Sequence, residues 1–177
     1  ARVGRPRRGG AARAGRQERG LRSTAGFIAR MQVPFRPEQV LSRDDAQVRD
    51  YLTSWSSPRS SFPTEDDIDR YAVATALPFV AHSAAEYFRW FGRNQLRWDG
   101  PALRRRLSDP ITVPVLHLQG ADDGFLPAEA TPGSDAYVTG PFRHERIADA
   151  GHFLPEEAPE VVTSVLLEWL DGLPLSR

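Results

Sequence analysis

The 177-residue sequence contains no cysteine, and each of its 23 basic residues is arginine. The absence of cysteine excludes disulfide bonds, thiolate metal sites and a cysteine nucleophile. Zinc held by histidine and carboxylate stays open on composition, but we expect no metal and no other cofactor. No apolar run approaches the roughly 20 residues that a membrane-spanning helix needs, and no apolar core of a secretory signal is present. We therefore expect a cytoplasmic protein with no membrane contact.

Positive charge is concentrated at the N-terminus. Residues 1–20 hold seven arginines and one glutamate, whereas the remainder holds 16 arginines and 22 acidic residues. The stretch is rich in glycine and lacks hydrophobic periodicity, which predicts a disordered basic arm. A basic arm can bind nucleic acid by releasing counterions, but no interleaved aromatics or recognition element accompany this one. We expect no nucleic-acid partner.

The middle of the sequence, from about residue 41 to residue 96, has helical periodicity. Ser42 is predicted to cap a first helix, and Thr64 with Asp67 predicts the start of a second helix through a short-chain relative of the capping box. A third, strongly aromatic helix is expected over residues 79–96. These patterns predict a helical region over residues 21–107.

The pattern changes after Gly100-Pro101. Residues 111–118 form a nearly unbroken apolar run, which is typical of a parallel strand covered on both faces, and residues 142–148 form a weaker strand candidate. An amphipathic helix is expected to follow and to end at Gly172. The predicted fold class is α/β, with residues 108–177 as the α/β part.

Ionisable side chains follow both predicted strands. Asp122 and Asp123 come after the first strand, and His152 comes after the second, 29 positions beyond Asp123. That interval is long enough for a crossover to a neighbouring parallel strand, and ligands meet such sheets at the carboxyl ends of the strands. A histidine can accept a proton near neutral pH while a carboxylate on its other nitrogen fixes the tautomer. His152 is therefore the candidate base, and either aspartate could orient it.

The order of these motifs resembles the C-terminal portion of α/β-hydrolase-fold enzymes, in which a strand ending in Gly-x-x-Asp precedes a strand ending in Gly-His. The matching residues here are Gly120 to Asp123 and Gly151-His152. The stretch from about Gln32 to Arg97 is similar to the cap domain of epoxide hydrolases, haloalkane dehalogenases and some esterases. The resemblance implies a helical cap on an incomplete parallel sheet, with His152 as general base and Asp123, rather than Asp122, as its acid.

The nucleophile of that family sits on a strand-to-helix turn of the type Gly-x-Ser-x-Gly, or an aspartate equivalent, upstream of the acid. No Gly-x-Ser-x-Gly occurs before residue 123, and no preceding apolar strand or oxyanion-hole segment is recognisable. The sequence also begins with Ala1 rather than methionine. We therefore expect a chain truncated at its N-terminus, which carries cap, acid and base but has no meaningful hydrolase activity alone.

The aromatic helix suggests where substrate would bind. Candidate substrate contacts are Tyr87, Phe88 and Trp90, although the same residues could simply pack the cap. Epoxide hydrolases with this arrangement polarise the epoxide oxygen with two cap tyrosines, and the resemblance places Phe27 and Phe88 at those positions. Phenylalanine cannot donate a hydrogen bond, so epoxide opening lacks its electrophile unless Tyr87 turns inward.

The sequence therefore favours a hydrolase for a small apolar organic substrate such as a carboxylic ester. Two alternatives stay open: a fragment of an epoxide hydrolase or haloalkane dehalogenase, and a non-catalytic interaction module. An incomplete sheet exposes an edge and apolar faces, so self-association is also expected.

Overall fold

The computed structural model of the protein describes residues 24–94, 97, 100–126 and 133–173. The predicted basic arm over residues 1–20 lies outside these ranges. The helical region contains six helices within the described residues: α1 (24–31), α2 (Arg36–Arg43), α3 (Asp45–Trp55), α4 (Glu65–Ala76), α5 (Val80–Asn94) and α6 (Gly100–Leu107).

Capping residues account for the helix boundaries. The Thr64 hydroxyl accepts from the Asp67 backbone N–H at 3.2 Å, and the Asp67 carboxylate accepts from the Thr64 N–H at 3.0 Å, which confirms the predicted capping box. The prediction that Ser42 begins a helix was wrong. An unexpected helix, α2, runs through Ser42, and Asp44 caps the next helix by accepting from the Gln47 N–H.

Helix α6 was also missed, because Gly100-Pro101 was interpreted as a break between regions. Proline is tolerated in the first turn of a helix, where its missing N–H has no intrahelical acceptor. The described part of the predicted aromatic helix ends at Asn94, since residues 95 and 96 lie outside the described ranges.

Within the described residues, two parallel strands form the sheet. Strand β1 (Val115–Gly120) pairs with β2 (Phe142–Ile147) in a register that runs from Val115↔Phe142 to Gly120↔Ile147. A short 3₁₀ helix, Ser134–Tyr137, precedes β2, and α7 (Leu154–Glu157) and α8 (Pro159–Asp171) follow it. The predicted α/β class with a small parallel sheet is confirmed, although β1 begins later than residue 111 because Pro114 cannot donate to a ladder.

In the part of the chain that the structure describes, two apolar clusters join the helical region to the loops that follow the strands. The first contains Val48, Leu52, Phe62 and Ile68, with Tyr71 and Phe153 packed against it. The second contains Phe27, Met31 and Ala85, and its partly buried neighbours are Ile28, Leu41, Tyr51, Trp55, Phe88 and Phe125. Because Phe125 and Phe153 follow β1 and β2 respectively, the same side chains stabilise the helices and the strand ends.

Helix α8 buries none of its residues in the described structure. Its exposed apolar side chains are Val161, Leu166, Leu167 and Leu170. Self-association through such a face stays a prediction. Within the described ranges, no helix is long and apolar enough to cross a bilayer.

A nearly buried ion pair fixes α5 against α2. The Arg89 guanidinium donates to both carboxylate oxygens of Glu38 and to the backbone carbonyls of Met31 at 2.9 Å and Val33 at 2.7 Å. The hydrogen bonds from Arg89 to the Glu38 carboxylate lower the pKa of Glu38 from 4.5 to about 2. A bidentate pair of this kind resists screening better than an exposed one, because its atoms are largely withdrawn from water.

We expect Glu38→Gln to destabilise the protein at pH 7 by about 2–3 kcal/mol. The folded-state pKa is below the ordinary value, so the stabilisation is fully present above pH 4.5 and is lost as the pH falls towards 2. The variant should therefore lose stability less steeply than the wild type across that window in urea unfolding. Glu65→Gln is the matched control, because the Arg49–Glu65 pair is exposed to solvent and should contribute little to the free energy of unfolding. Equal effects of the two substitutions would contradict this account.

Candidate active site

The structure brings Asp123 and His152 together at the carboxyl ends of the two strands. His152 Nδ1 lies 3.0 Å from Asp123 Oδ2. The aspartate side chain is 7% exposed, whereas that of the histidine is 32% exposed. The carboxylate is therefore shielded, while part of the imidazole reaches the surface and can meet another molecule.

The second oxygen of Asp123 is held by its own turn. Oδ1 accepts from the backbone N–H of Phe125 at 2.8 Å and of Leu126 at 2.7 Å. Because these two backbone N–H groups hold Oδ1, Oδ2 is directed towards the histidine. The arrangement is an Asx turn extended by one residue. The carboxylate orientation therefore depends on local backbone and not on the histidine alone.

Asp122 faces a different set of partners, so the alternative pairing with His152 was wrong. Its Oδ2 accepts from the Ser57 hydroxyl at 2.9 Å and from Arg59 Nη1 at 3.2 Å. The same Arg59 guanidinium also contacts Asp149. Asp149 has φ of 59°, a left-handed conformation that aspartate tolerates better than most residues. Arg59 thus links the acid turn to the turn that leads to the base.

Backbone groups of the α3 C-terminus join both turns directly. The Trp55 carbonyl accepts from the His152 N–H at 2.9 Å and from the Gly124 N–H at 3.4 Å. A Cβ on Gly151 would lie 2.5 Å from Ser57 N and 2.6 Å from Trp55 O, closer than real Cβ atoms come. Glycine is therefore required where the helical region meets the histidine turn.

Aromatic rings surround the imidazole. Ring centroids of Phe125, Phe153 and Trp55 lie 5.1, 5.3 and 5.5 Å from that of His152, each in an edge-on arrangement. Such contacts restrict the imidazole and give the site apolar walls. Neither Trp55 nor Phe125 was identified as a site residue from the sequence, because their contact depends on segments that lie far apart in the chain.

The predicted substrate contacts occupy different environments. The Phe88 ring lies 4.9 Å from that of Phe27, which in turn lies 5.1 Å from Trp55, so Phe88 belongs to the aromatic cluster beside the site. Tyr87 and Trp90 are 67% and 54% exposed. The structure does not bring these two to His152, and a role for the three residues in substrate binding stays a prediction.

Two further histidines and Tyr71 have partners of a different kind. His117 and His144 stack at 4.6 Å across the strands, and burial together with His144 lowers the pKa of His117. Burial, followed by the hydrogen bond to Glu156, raises the pKa of Tyr71 to about 12, so its hydroxyl remains a donor that joins α4 to α7. Among the described residues, no three histidine or acidic side chains are grouped to hold a metal ion.

Comparisons with known proteins identify similar chains. The chain is 33% identical over 113 residues to epoxide hydrolase A of Mycobacterium tuberculosis, a match that covers 63% of this chain and 33% of the relative. It is 26% identical over 145 residues to the AB hydrolase superfamily protein YfhM of Bacillus subtilis, a match that covers 81% of this chain and 47% of the relative. No protein-family model matches it.

Structural comparison identifies the fold. The crystal structure of epoxide hydrolase A from Mycobacterium thermoresistibile superposes with a TM-score of 0.66 at 20% identity, over 85% of this chain and 53% of that one. The chain thus spans from one third to about half of the length of these three proteins. The shared fold is that of the α/β hydrolases.

We expect Gly151→Ala to separate the α3 C-terminus from the histidine turn, because the added methyl group would overlap Ser57 N and Trp55 O. Overpacking of this kind costs about 1–3 kcal/mol in the free energy of unfolding, which urea titration measures. Gly172→Ala is the control, since the nearest atom to its Cβ would lie at 3.5 Å. A Gly151→Ala variant as stable as this control would contradict the proposed requirement for glycine.

We expect Asp123→Asn to change the tautomer of neutral His152. The Phe125 and Leu126 N–H groups would keep the asparagine oxygen, so its NH₂ group would face Nδ1 and move the ring proton to Nε2. Long-range ¹H–¹⁵N NMR spectra distinguish the two tautomers. Asp122→Asn, which changes the neighbouring carboxylate, should retain the Nδ1–H form. An unchanged tautomer in Asp123→Asn would show that the contact does not orient the ring.

Proposed function

The chain carries part of an α/β-hydrolase fold and has epoxide hydrolases among its relatives, and we propose that it supplies the acid and base of a hydrolase for small apolar esters. The observation that carries the proposal is the 3.0 Å contact between His152 Nδ1 and Asp123 Oδ2, made at the carboxyl ends of parallel strands. In this arrangement Nε2 is left to take a proton from a nucleophile.

The proposed roles follow from this geometry. Asp123 accepts the Nδ1–H hydrogen bond and stabilises the imidazolium that forms when Nε2 takes a proton. His152 would then return that proton to the leaving group as a general acid. Neither step forms a covalent bond to substrate, so the pair serves a nucleophile and does not replace one.

We further propose that the nucleophile is not among the residues of this chain. No Gly-x-Ser-x-Gly precedes Asp123. An acid–base pair without a nucleophile retains only a small part of the rate enhancement of a complete triad, because the members of a triad act as a unit. The chain alone is therefore proposed to be inactive.

Ester substrates are favoured by the side chains near the site. Trp55, Phe125 and Phe153 present apolar surface around His152, and Phe88 extends that surface through Phe27. None of these rings except the Trp55 indole carries a hydrogen-bond donor. An ester needs apolar walls and an oxyanion hole, whereas an epoxide needs donors at the oxygen that leaves the ring carbon.

Epoxide opening is the second candidate function, and the similarity to epoxide hydrolase A over 113 residues favours it. It requires a donor that Phe88 does not supply, although Tyr87 adjoins Phe88 with ring centroids 5.2 Å apart. Rotation of Tyr87 towards the site would provide the hydroxyl.

An activity assay tests the proposal. We expect the purified chain to hydrolyse neither p-nitrophenyl esters nor styrene oxide above the buffer rate, with His152→Ala indistinguishable from wild type. Turnover by the chain that disappears in His152→Ala would contradict the proposed absence of a nucleophile.

A longer polypeptide, extended with the residues encoded upstream of Ala1, is the matched comparison. We expect it to hydrolyse the esters in a His152-dependent manner. Turnover of styrene oxide without ester hydrolysis would replace the first candidate with the second, and inactivity of the longer polypeptide on both substrates would count against the acid–base assignment.

A further inference from the structure

The carboxylate of Glu157 is bound by three backbone N–H groups around the candidate base. Oε2 accepts from Gly151 at 2.8 Å and from Ser57 at 2.8 Å, and Oε1 accepts from Phe153 at 2.9 Å. Gly151 and Phe153 are the residues immediately before and after His152. A side chain on α7 thereby fixes the backbone on both sides of the imidazole.

The His152 backbone itself is held by Trp55. Its N–H donates to the Trp55 carbonyl at 2.9 Å, so three consecutive N–H groups of the histidine turn have fixed acceptors. Glu157 Oε2 also receives the Ser57 N–H, which belongs to the same segment as Trp55. The carboxylate therefore fixes the histidine turn and also connects that turn to the α3 C-terminus.

The chemistry of this arrangement requires a carboxylate. Hydrogen bonds to an ionised acceptor are stronger than those between neutral groups, and a carboxylate can accept at both oxygens. A glutamine has one accepting oxygen, and its NH₂ group would oppose at least one of the three N–H donors. Glu157 is half-buried, so water replaces these contacts poorly.

We infer that Glu157 is a positioning residue, which sets the orientation of His152 towards Asp123 and ties it to the end of α3. The inference rests on the proposed function of His152 and Asp123 as base and acid. It assigns Glu157 no contact with substrate; the residue acts through the backbone on which the imidazole is mounted.

A general effect of negative charge near the start of α8 is the competing explanation, and Glu156 provides its control. Glu156 adjoins Glu157, is exposed, and accepts from the Tyr71 hydroxyl at 2.9 Å. Glu156→Gln removes the same charge and retains an accepting oxygen. A charge effect predicts similar behaviour of Glu156→Gln and Glu157→Gln, whereas positioning predicts that only Glu157→Gln disturbs His152.

The test compares the two variants with wild type by NMR on the chain itself. We expect Glu157→Gln to lose part of the Nδ1–H tautomer of neutral His152 and to lower amide-exchange protection at Gly151, His152 and Phe153 about tenfold, since one charged hydrogen bond is worth at least that factor. Amides of α4, which the carboxylate does not contact, should keep their protection. Glu156→Gln should match wild type in both measurements.

Two results would overturn the inference: a wild-type tautomer and exchange pattern in Glu157→Gln, or equal changes in Glu156→Gln. If Glu157→Gln does not fold, Glu157→Asp serves instead, because it keeps the charge and shortens the reach by one methylene. We expect it to lose protection at one or more of the three amides, and full retention with a wild-type tautomer would also overturn the inference. Asp123→Asn distinguishes failure of the proposed acid–base pair from failure of the inference about Glu157. If Asp123→Asn leaves the tautomer of His152 unchanged, the proposed acid–base pair fails. If Asp123→Asn changes the tautomer and Glu157→Gln does not, only the role of Glu157 is removed.

Discussion

The Trp55 carbonyl oxygen is the point on which the candidate site depends, because it accepts hydrogen bonds from the turns that carry both functional side chains. One N–H belongs to His152 and the other to Gly124, the residue after Asp123. The carbonyls in the last turn of a helix receive no N–H donor from the helix itself, so the Trp55 carbonyl can accept hydrogen bonds from these two groups. The approach requires glycine, since a Cβ on Gly151 would overlap the Trp55–Ser57 backbone. The 3.0 Å contact between base and acid thus follows from three backbone segments meeting closely.

Charged side chains then hold this junction from outside. Arg59 contacts Asp122 and Asp149, one from each turn, while Glu157 binds N–H groups of Ser57, Gly151 and Phe153. Further along the helical region, Arg89 fixes α5 to α2 and sits directly after Phe88. Phe88 packs on Phe27, which contacts Trp55, so the position of α5 is transmitted by ring contacts to the walls of the site. The ion pairs and hydrogen bonds therefore fix the positions of the turns and helices, and the packed aromatic rings form the apolar walls around His152.

How much of this arrangement the sequence predicts depends on how far apart the interacting residues lie along the chain. The Thr64–Asp67 capping box involves neighbours in sequence and was predictable, as were the parallel strands and the pairing of Asp123 with His152, which the order of strand, turn and motif implies. Helix α2 was missed because helical periodicity was recognised only from about residue 41, and α6 because Gly100-Pro101 was interpreted as a break. Trp55 and Glu157 were not identified as site residues, because their partners lie up to 100 positions away and no local pattern marks a carbonyl or carboxylate that will meet them.

The acid and the base are ordered by contacts that involve no nucleophile. Among the described residues, the groups that orient Asp123 and His152 are the Phe125 and Leu126 N–H groups, the Trp55 carbonyl and the Glu157 carboxylate. Orientation of the base is thus independent of the group that the base serves. Catalysis does depend on that group, since proton transfer accelerates a reaction only when a reacting atom lies within hydrogen-bond reach of Nε2. The distinction between a preformed acid–base pair and a hydrolase therefore rests on what faces that one nitrogen atom.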